Sequence, residues 1–388
     1  MKRVVIAMVM AGALSVSSGC GTIKSTYDGW FGSPAPSVKP AELAPLRSSI
    51  KVRVAWRGTI GAAGKTVLFP VVNGNTVWVA AANGQIAGFN AANGASVARF
   101  SAGQAIASGV AANAAMVAVG TPRGELLAFS ASGKPLWKAQ VPGETLAPPV
   151  IEGDLLIARV GDGAIQAYDV ASGKRRWAYQ RSAPALSIRS HAGVVVSRGS
   201  VYAGFPGGRL IALSAAGGGV LWDSVVALPK GTTELERVAD VTSPPVVDES
   251  RACATAFQGR TACFDATRGT SMWARDISSF SGLGADSRNV YVTDDKGAVT
   301  ALDKTTGGSL WKQDKLFGRG VTRPLALGRF VIVCDYQGFV HLLSREDGSF
   351  AARIATDGSA IAAAPVALDL SSFLVQTRNG GVFAIAVE

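Results

Sequence analysis

A repeat that begins with glycine and ends near tryptophan constrains this chain more than any other feature. In its clearest copy, residues 297–311, apolar residues alternate along a strand, a glycine-containing turn follows, and a second strand ends in Trp311. Seven further copies, some without the tryptophan, begin at Gly84, Gly124, Gly163, Gly208, Gly259, Gly338 and Gly380. Successive copies lie 38 to 51 residues apart, which is typical of a propeller blade with four strands. The sequence therefore predicts an all-β fold, an eight-bladed β-propeller of four-stranded antiparallel blades.

The two ends of the repeat region predict how the ring closes. The copy at Gly380 stops before its tryptophan strand, whereas residues 52–56, which end in Trp56, form a tryptophan strand with no glycine half before it. The two fragments make one complete blade if the N-terminal strand takes the outer position in the last blade. Closure of this kind hides sheet edges, because every blade then packs between two neighbours. We predict a propeller over residues 50–388, closed by the N-terminal strand joining the last blade.

The tryptophans are expected to pack between neighbouring blades. One large aromatic ring at a fixed point of each repeat favours a structural role, because a buried indole removes a large apolar area from water. A ligand-binding role for the rings is the alternative. We expect truncation of Trp222 or Trp311 to destabilise the fold rather than to remove a specific activity.

The first twenty residues have the pattern of a targeting segment. A positively charged start is followed by an apolar stretch, residues 4–14, that is too short to span a bilayer, and small residues then lead to Cys20. The pattern resembles a bacterial lipoprotein signal, although Ser17 stands where leucine is usual. The resemblance implies a signal peptide over residues 1–19, lipidation of Cys20 and, since Gly21 rather than aspartate follows, sorting to the outer membrane. An ordinary secretory signal with an incidental cysteine is the alternative.

A linker is expected between the signal and the propeller. Residues 20–49 are rich in serine, alanine, glycine and proline, a composition that predicts a flexible and partly extended chain. Trp30 and Phe31 are unusual in such a segment. They are expected to dock either on the propeller or at the lipid interface, and both alternatives stay open.

The net charge of +11, from 38 basic and 27 acidic residues, raises the question of nucleic-acid binding. The charges are scattered, and the longest basic run, residues 174–176, lies in a predicted hairpin turn. No basic surface with aromatic residues for base stacking is evident. We therefore expect no nucleic-acid partner.

The two longest connections between blades are the best candidates for a binding site. They follow Trp177 and Trp222 and run 31 and 37 residues to the next repeat glycine. Being consecutive, they emerge from the same face on adjacent blades. The second contains Thr233 and Glu236 at the spacing of a capping box, which predicts a short helical turn. Loops on a rigid scaffold often carry binding; the alternative is drift in loop length, with the apolar loop residues packed inward.

At the level of the repeat, the chain is similar to the propellers of quinoprotein dehydrogenases. The residues that carry this similarity are Ala301, Asp303, Thr306, Gly307 and Trp311. The signal, the length and the eight blades together resemble the BamB family, the propeller lipoproteins of the outer-membrane β-barrel assembly machine. This resemblance covers the whole mature chain.

The most specific part of the resemblance lies in the two long loops. Residues 186–189, Leu-Ser-Ile-Arg, match a Leu-x-Leu-Arg stretch of the family, and residues 236–245 match its acidic segment. In that family these loops contact a periplasmic POTRA domain of BamA, the barrel-forming subunit. The resemblance therefore implies four contact residues, which are Leu186, Ile188, Arg189 and Asp240. A second acidic position of the family is Thr242 here, so Asp240 is the better candidate. An internal Arg189–Asp240 pair that holds the two loops together is an equal alternative.

An enzyme is the competing class, because a similar repeat builds quinone-cofactor dehydrogenases. Those enzymes are longer and carry adjacent cysteines and a calcium-bound cofactor. This chain has no adjacent cysteines, and its two histidines are His191 and His341. It shows no Ser/His/Asp arrangement, zinc-ligand spacing or phosphate-binding loop. We predict no catalytic residues, no cofactor and no metal.

Two of the cysteines lie on neighbouring strands of one predicted hairpin. Cys253 and Cys263 fall opposite each other if the turn has three or five residues, and an oxidising periplasm then allows a disulfide. With a two- or four-residue turn they are diagonal and free, and a buried thiol at Cys263 is the slightly favoured alternative. Cys334 has no evident partner.

These observations lead to one functional expectation. The chain is expected to be a non-catalytic scaffold lipoprotein that binds the POTRA domains of BamA and assists folding and insertion of outer-membrane β-barrels. It is expected to be a monomer within a hetero-complex, held on the periplasmic face of the outer membrane by the lipid on Cys20. A propeller scaffold for another envelope partner is the alternative.

Overall fold

The computed structural model describes residues 39–161, 163–182 and 184–388. Residues Pro40–Glu388 form one compact unit. The predicted signal peptide, Cys20, Trp30 and Phe31 lie outside the described residues. Within the described residues we find no helix with the length and apolar character that a membrane crossing requires.

The described residues form thirty-two strands. In chain order they are β1 (Val52–Thr59), β2 (Val71–Asn73), β3 (Thr76–Ala80), β4 (Gln85–Asn90), β5 (Ser96–Ser101), β6 (Val110–Ala112), β7 (Met116–Gly120), β8 (Glu125–Ser130), β9 (Pro135–Gln140), β10 (Val150–Glu152), β11 (Leu155–Val160), β12 (Ala164–Asp169), β13 (Arg175–Tyr179), β14 (Val194–Ser197), β15 (Ser200–Phe205), β16 (Arg209–Ser214), β17 (Val220–Val225), β18 (Val246–Val247), β19 (Arg251–Thr255), β20 (Thr261–Asp265), β21 (Ser271–Arg275), β22 (Gly282–Ala285), β23 (Asn289–Thr293), β24 (Val299–Asp303), β25 (Ser309–Gln313), β26 (Leu325–Leu327), β27 (Phe330–Cys334), β28 (Phe339–Ser344), β29 (Phe350–Ala355), β30 (Val366–Ala367), β31 (Ser372–Gln376) and β32 (Gly381–Val387).

These strands make eight four-stranded antiparallel sheets, which are the blades of the predicted propeller. Blades 1 to 7 each use four consecutive strands, from β2–β5 to β26–β29. Blade 8 has the order β1-β32-β31-β30, with β1 paired to β32 from Val52↔Val387 to Thr59↔Gly381. The prediction that the N-terminal strand closes the ring is therefore confirmed.

The antiparallel order gives the ring two faces. Connections between blades and the turns between second and third strands lie on one face, which we call the loop face. The turns between first and second strands and between third and fourth strands lie on the other, which we call the turn face. The short first strand of each blade is innermost and borders the central channel.

The tryptophan of one blade packs against the glycine in a hairpin turn of the next blade, which is not the glycine that begins the repeat. Nε1 of Trp177, in blade 3, donates a 2.8 Å hydrogen bond to the carbonyl of Ala215 in blade 4. Its ring lies on Gly218, where an added Cβ would stand 2.5 Å from the indole, and Gly218 has φ +71°. The same pairing joins Trp56 to Gly94, Trp137 to Gly173, Trp222 to Gly269, Trp273 to Gly307 and Trp311 to Gly348. The prediction that the tryptophans pack between blades is confirmed.

In blade 1, a phenylalanine takes the place of the tryptophan in the contact with the next blade. Ala98 occupies its tryptophan position, and Phe100, two residues later, covers Gly133 of blade 2. The phenyl ring also packs 5.4 Å from the ring of Phe129. The contact between blades 1 and 2 is thus kept, although the sequence pattern is broken.

The two hairpin cysteines of blade 5 are joined. Five residues separate β19 from β20, so Cys253 pairs directly with Cys263 in the register, and the two form a disulfide. This is the bonded alternative left open by the sequence. Cys334 is free and buried.

The chain contacts the propeller before β1 begins. Ala41 donates its N–H to the carbonyl of Phe317 and accepts from the Arg319 guanidinium at 3.0 Å, both on the loop face. Arg353 then donates to the carbonyl of Ala44, and Ser49 donates its N–H to a carbonyl of β29. Residues 41–49, at the end of the segment predicted as a linker, therefore cross the outer edge of blade 7.

Candidate partner-binding site

Two long loops stand side by side on the loop face. The first, residues 180–193, joins blade 3 to blade 4, and the second, residues 226–245, joins blade 4 to blade 5. We call them the first and second docking loops. Their position on one face and on adjacent blade boundaries agrees with the expectation from the repeat.

The second docking loop is shaped by a capping box. The N–H of Thr233 donates to Oε2 of Glu236 at 3.1 Å, and the N–H of Glu236 donates to Oγ1 of Thr233 at 3.2 Å. The Arg237 N–H then bonds the Thr233 carbonyl and completes one helical turn. Among the hydrogen bonds that lower the pKa of Glu236, the one from the N–H of Thr233 has the largest effect. The predicted capping box is confirmed, and it holds Leu235 70% exposed at the tip of the loop.

Asp240 ties the two docking loops together from within. Its side chain is 3% exposed. Oδ2 accepts the backbone N–H of Ile188 at 2.7 Å, and Oδ1 accepts the backbone N–H of Gly207 at 3.0 Å. Both oxygens are thus engaged by the protein's own backbone. Asp240 fixes the conformation of the first docking loop rather than presenting a carboxylate at the surface.

Thr242, where the family has its second acidic residue, is also internal. Thr242 is buried, and its Oγ1 donates to the carbonyl of Phe280 at 2.9 Å. This hydroxyl connects the second docking loop to the next connection between blades. The residue therefore supports the loop from below.

Arg189 pairs with Glu144, not with Asp240. Nε of Arg189 lies 2.6 Å from Oε1 of Glu144, and Nη2 lies 2.8 Å from Oε2, a two-pronged pair. The hypothesis of an internal Arg189–Asp240 pair is therefore wrong: the carboxylate comes from the connection between blades 2 and 3, and Asp240 is occupied by amides. The hydrogen bond from Arg189 holds the pKa of Glu144 below its usual value. The arginine side chain remains largely exposed.

Apolar side chains border this charged pair. Leu186 is 48% exposed and Ile188 is half-buried. Leu228 and Leu235, on the second docking loop, are more exposed still. The sequence interpretation did not include these two leucines; their signal was large apolar residues inside the longest connection of the ring. The three leucines are exposed, and they are distributed over both loops.

Arg159 supports the first docking loop. The sequence interpretation did not include this residue. This residue of β11 donates from Nη1 to the carbonyls of Ala192 and Gly204 and lies over the ring of Phe205. Burial lowers the pKa of Arg159 to about 10, and the Asp240 charge opposes that effect. The two carbonyls lie 33 and 45 residues from Arg159 in the sequence, so only the fold reveals these contacts.

His191 closes the end of the same loop. Its ring packs 5.9 Å from the ring of Phe69, which comes from the connection between blades 8 and 1. Burial lowers the pKa of His191 to about 4, and the nearby Arg189 charge acts in the same direction. The imidazole is therefore neutral near pH 7 and packs as an uncharged ring.

The arrangement is suited to binding rather than to catalysis. It offers exposed leucines, a fixed arginine and internally satisfied carboxylates, which are typical of the anchor and edge of a protein interface. Within the described residues, no three His, Cys, Asp or Glu side chains are grouped so that they can hold a metal ion. The four residues implied by the resemblance lie together: two are apolar, one is an exposed cation, and one is a buried support.

Comparison with known proteins gives a consistent result. A family model described as outer membrane protein assembly factor BamB matches residues 82–313 and 295–388. The BamB of Burkholderia pseudomallei is 39% identical over 384 residues, covering 99% of this chain and 98% of that protein. The BamB of Bordetella pertussis is 37% identical, covering 98% and 96%.

Solved structures show the same fold. The crystal structure of BamB from Moraxella catarrhalis superposes with a TM-score of 0.78 at 26% identity, covering 87% of this chain and all of that one. A quinohemoprotein alcohol dehydrogenase from Comamonas testosteroni reaches a TM-score of 0.70 at 13% identity, covering 86% and 76%. The likeness to the dehydrogenase is one of fold alone.

Proposed function

The chain belongs to the BamB family of outer membrane protein assembly factors, and we propose that it binds a periplasmic POTRA domain of BamA through its two docking loops. Its place is in outer-membrane protein assembly, as the names of its relatives state. The family is one of assembly factors, so the chain is a scaffold and not one of the dehydrogenases that share its propeller. We further propose that it assists folding and insertion of β-barrel proteins as a monomer within the assembly complex.

The observation that carries the proposal is the set of exposed leucines on two loops that Asp240 joins. Leu186, Leu228 and Leu235 are exposed on loops whose backbone is fixed by hydrogen bonds. Burying one such side chain contributes about 1.5–3 kcal/mol, and a preformed loop loses little conformational entropy on binding. Three anchors on a rigid base are therefore a sufficient core for a specific interface.

Arg189 supplies direction to that interface. Its pair with Glu144 holds the guanidinium in one orientation while leaving most of it exposed. A carboxylate on the partner can approach the free edge of the guanidinium without first ordering the side chain. We propose that Arg189 contacts the partner, that Leu186 and Ile188 form the apolar anchor, and that Asp240 acts through Ile188.

We also propose the location that the lipoprotein-like signal implies. Cys20, the proposed lipidation site, precedes Ala41, which hydrogen-bonds to the loop face, by about twenty residues. A flexible chain of that length has a root-mean-square reach of about 25 Å. The propeller would then work on the periplasmic face of the outer membrane, within reach of membrane-proximal partners.

The test is binding of residues 21–388, which contain all eight blades, to the POTRA domains of the same organism's BamA. Wild type is compared with Leu186→Ala/Arg189→Glu, and Leu370→Ala serves as the control, since Leu370 is an exposed leucine on the turn face. We expect the double variant to lose at least about tenfold in affinity, an effect of about 1.4 kcal/mol, and the control to bind as wild type does. Circular dichroism checks that all three are folded.

Each other outcome has a defined meaning. Equal binding by wild type and the double variant would move the interface away from the docking loops. Absence of binding by wild type would contradict the BamA proposal and leave the propeller to another envelope partner.

A further inference from the structure

A cleft of about 690 Å³ opens on the turn face beside blades 5 and 6 and reaches toward the central channel. Its apolar wall comes from the inner strands and consists of Val195, Pro245, Val246, Val247 and Ala285. Its charged mouth includes Asp248, Glu249, Arg251, Asp286 and Lys304. Arg323, two residues before the innermost strand β26 of blade 7, lies at the channel end.

Among the described residues, no carboxylate pairs with the guanidinium of Arg323. Nε donates to the carbonyl of Leu283 at 2.8 Å. Within the described residues this is its one hydrogen bond. Burial lowers the pKa of Arg323, with no opposing contribution from a nearby acid. The Arg323 side chain is half-buried, and a partly desolvated cation is stabilised by a charged partner, so the two terminal nitrogens form an unfilled position for negative charge.

The acids at the mouth do not serve this purpose, because each has a cation of its own. The pairs are Asp248 with Lys304 at 2.6 Å, Glu249 with Arg198 at 2.7 Å and Asp286 with Arg345 at 2.5 Å. Arg251, the remaining cation of the mouth, donates to the hydroxyls of Ser250 and Thr305. The cleft therefore carries a positive excess, with Arg251 at the mouth and Arg323 at the inner end both lacking a carboxylate partner among the described residues.

We propose that this cleft binds a monocarboxylate with an apolar body. The carboxylate receives two parallel hydrogen bonds from the terminal nitrogens of Arg323, the geometry in which arginine binds carboxylates most strongly. The apolar body lies along Val246, Val247 and Ala285. The volume is in the range of small-molecule sites.

The site is independent of the docking loops. It opens on the turn face, whereas the docking loops lie on the loop face; they share Pro245, the last residue of the second docking loop, but none of the proposed partner contacts lines the cleft. Loss of one function by substitution therefore leaves the other intact. The two proposals can fail separately.

The test uses hexanoate as the probe, with hexanol as its neutral counterpart and inorganic phosphate as an anion without an apolar body. Binding to residues 21–388 is measured by ligand-observed saturation-transfer NMR and by the shift of the thermal unfolding midpoint. Arg323→Gln removes the charge, Arg323→Lys keeps it without the fork, and Arg329→Gln is the control, an exposed arginine on the same blade.

We expect wild type and Arg329→Gln to bind hexanoate equally, with stabilisation at saturating ligand. Arg323→Gln should lose at least tenfold in affinity, and Arg323→Lys should be intermediate. Hexanoate binding that is unchanged in Arg323→Gln, or hexanol binding as well as hexanoate, would overturn the assignment of the carboxylate to Arg323. Phosphate binding as tightly as hexanoate would overturn the requirement for an apolar body. No hexanoate binding to wild type would overturn the site itself.

Discussion

The backbone N–H of Ile188 donates a 2.7 Å hydrogen bond to Oδ2 of Asp240, a residue 52 positions later in the chain. The other oxygen of the same carboxylate holds the N–H of Gly207. One buried side chain therefore fixes the backbone of the first docking loop, joins it to the second, and anchors both to blade 4.

Replacement of Asp240 by alanine should release the first docking loop. Two partly buried N–H groups would lose a charged acceptor, at about 1.5–3 kcal/mol for each hydrogen bond. We expect faster hydrogen exchange at the amides of Ile188 and Gly207 and weaker POTRA binding, while the ring stays folded. Asp276→Ala, at an exposed aspartate, is the control. Unchanged exchange at both amides in Asp240→Ala would show that the carboxylate does not hold the loop.

The histidine in the first docking loop predicts a pH dependence of stability. Burial lowers the pKa of His191 to about 4 from its ordinary value of 6.5. Between those values the unfolded chain binds a proton that the folded chain excludes, so the free energy of unfolding should fall as the pH drops from 6.5 toward 4. The effect amounts to at most about 3 kcal/mol.

The measurement for this prediction is urea unfolding of wild type and His191→Gln at several pH values from 4.5 to 7. His341 is also buried with a lowered pKa and contributes with the same sign, but it is present in both proteins. The difference between the two curves therefore isolates His191. Parallel curves would contradict a buried neutral imidazole at this position.

The glycine under each tryptophan predicts a substitution pair with one shared and one differing effect. Gly218 and Gly103 have nearly equal φ, +71° and +76°. An added Cβ at Gly218 would meet the ring of Trp177 at 2.5 Å, whereas at Gly103 it meets nothing within 4 Å. Both alanine variants carry the left-handed backbone penalty of about 1–2 kcal/mol, but only Gly218→Ala must also displace an indole. We expect Gly218→Ala to be the less stable by a further 1–3 kcal/mol, roughly the effect of overpacking a core, in thermal unfolding. Equal losses would show that the indole moves freely.

The disulfide of blade 5 predicts sensitivity to reductant. The Cys253–Cys263 bond closes a short loop, for which the chain-entropy argument gives about 2–3 kcal/mol. We expect dithiothreitol to lower the denaturation midpoint of wild type and of Cys334→Ala, but not that of Cys253→Ala/Cys263→Ala. Native protein should offer no thiol to alkylation at these two positions. Rapid native alkylation there would contradict the bond.

The eight-bladed ring could be predicted from the sequence because its repeat is a short-range pattern. The glycine and tryptophan of one repeat lie within about fifteen residues, and the missing half-blades at the two ends imply closure. Blade 1 shows the limit of this reasoning: Phe100 replaces the missing tryptophan from a different strand position, and the repeat pattern does not mark it.

The sequence indicated which residues of the candidate site lie near one another, but not which hydrogen bonds they make. Residues 186–189 and Asp240 were expected together, and they are together. That Arg189 pairs with Glu144 across 45 residues, and that Asp240 binds amides, depends on loop paths between blades. The same reason hides Arg323, since an unpaired arginine is recognised by the absence of neighbours in space and not by the residues beside it in the chain.

The contacts of residues 41–49 also determine how the molecule bears mechanical tension. A pull on the chain upstream of residue 40 is met first on the loop face, where Arg319, itself bonded to Asp335, grips the carbonyl of Ala41. Without the contacts of residues 41–49 on blade 7, the load would fall on the turn-face end of β1 and separate it from β32 one hydrogen bond at a time. With these contacts in place, β1, the strand that closes the ring, carries no force until the contacts of residues 41–49 with blade 7 have broken.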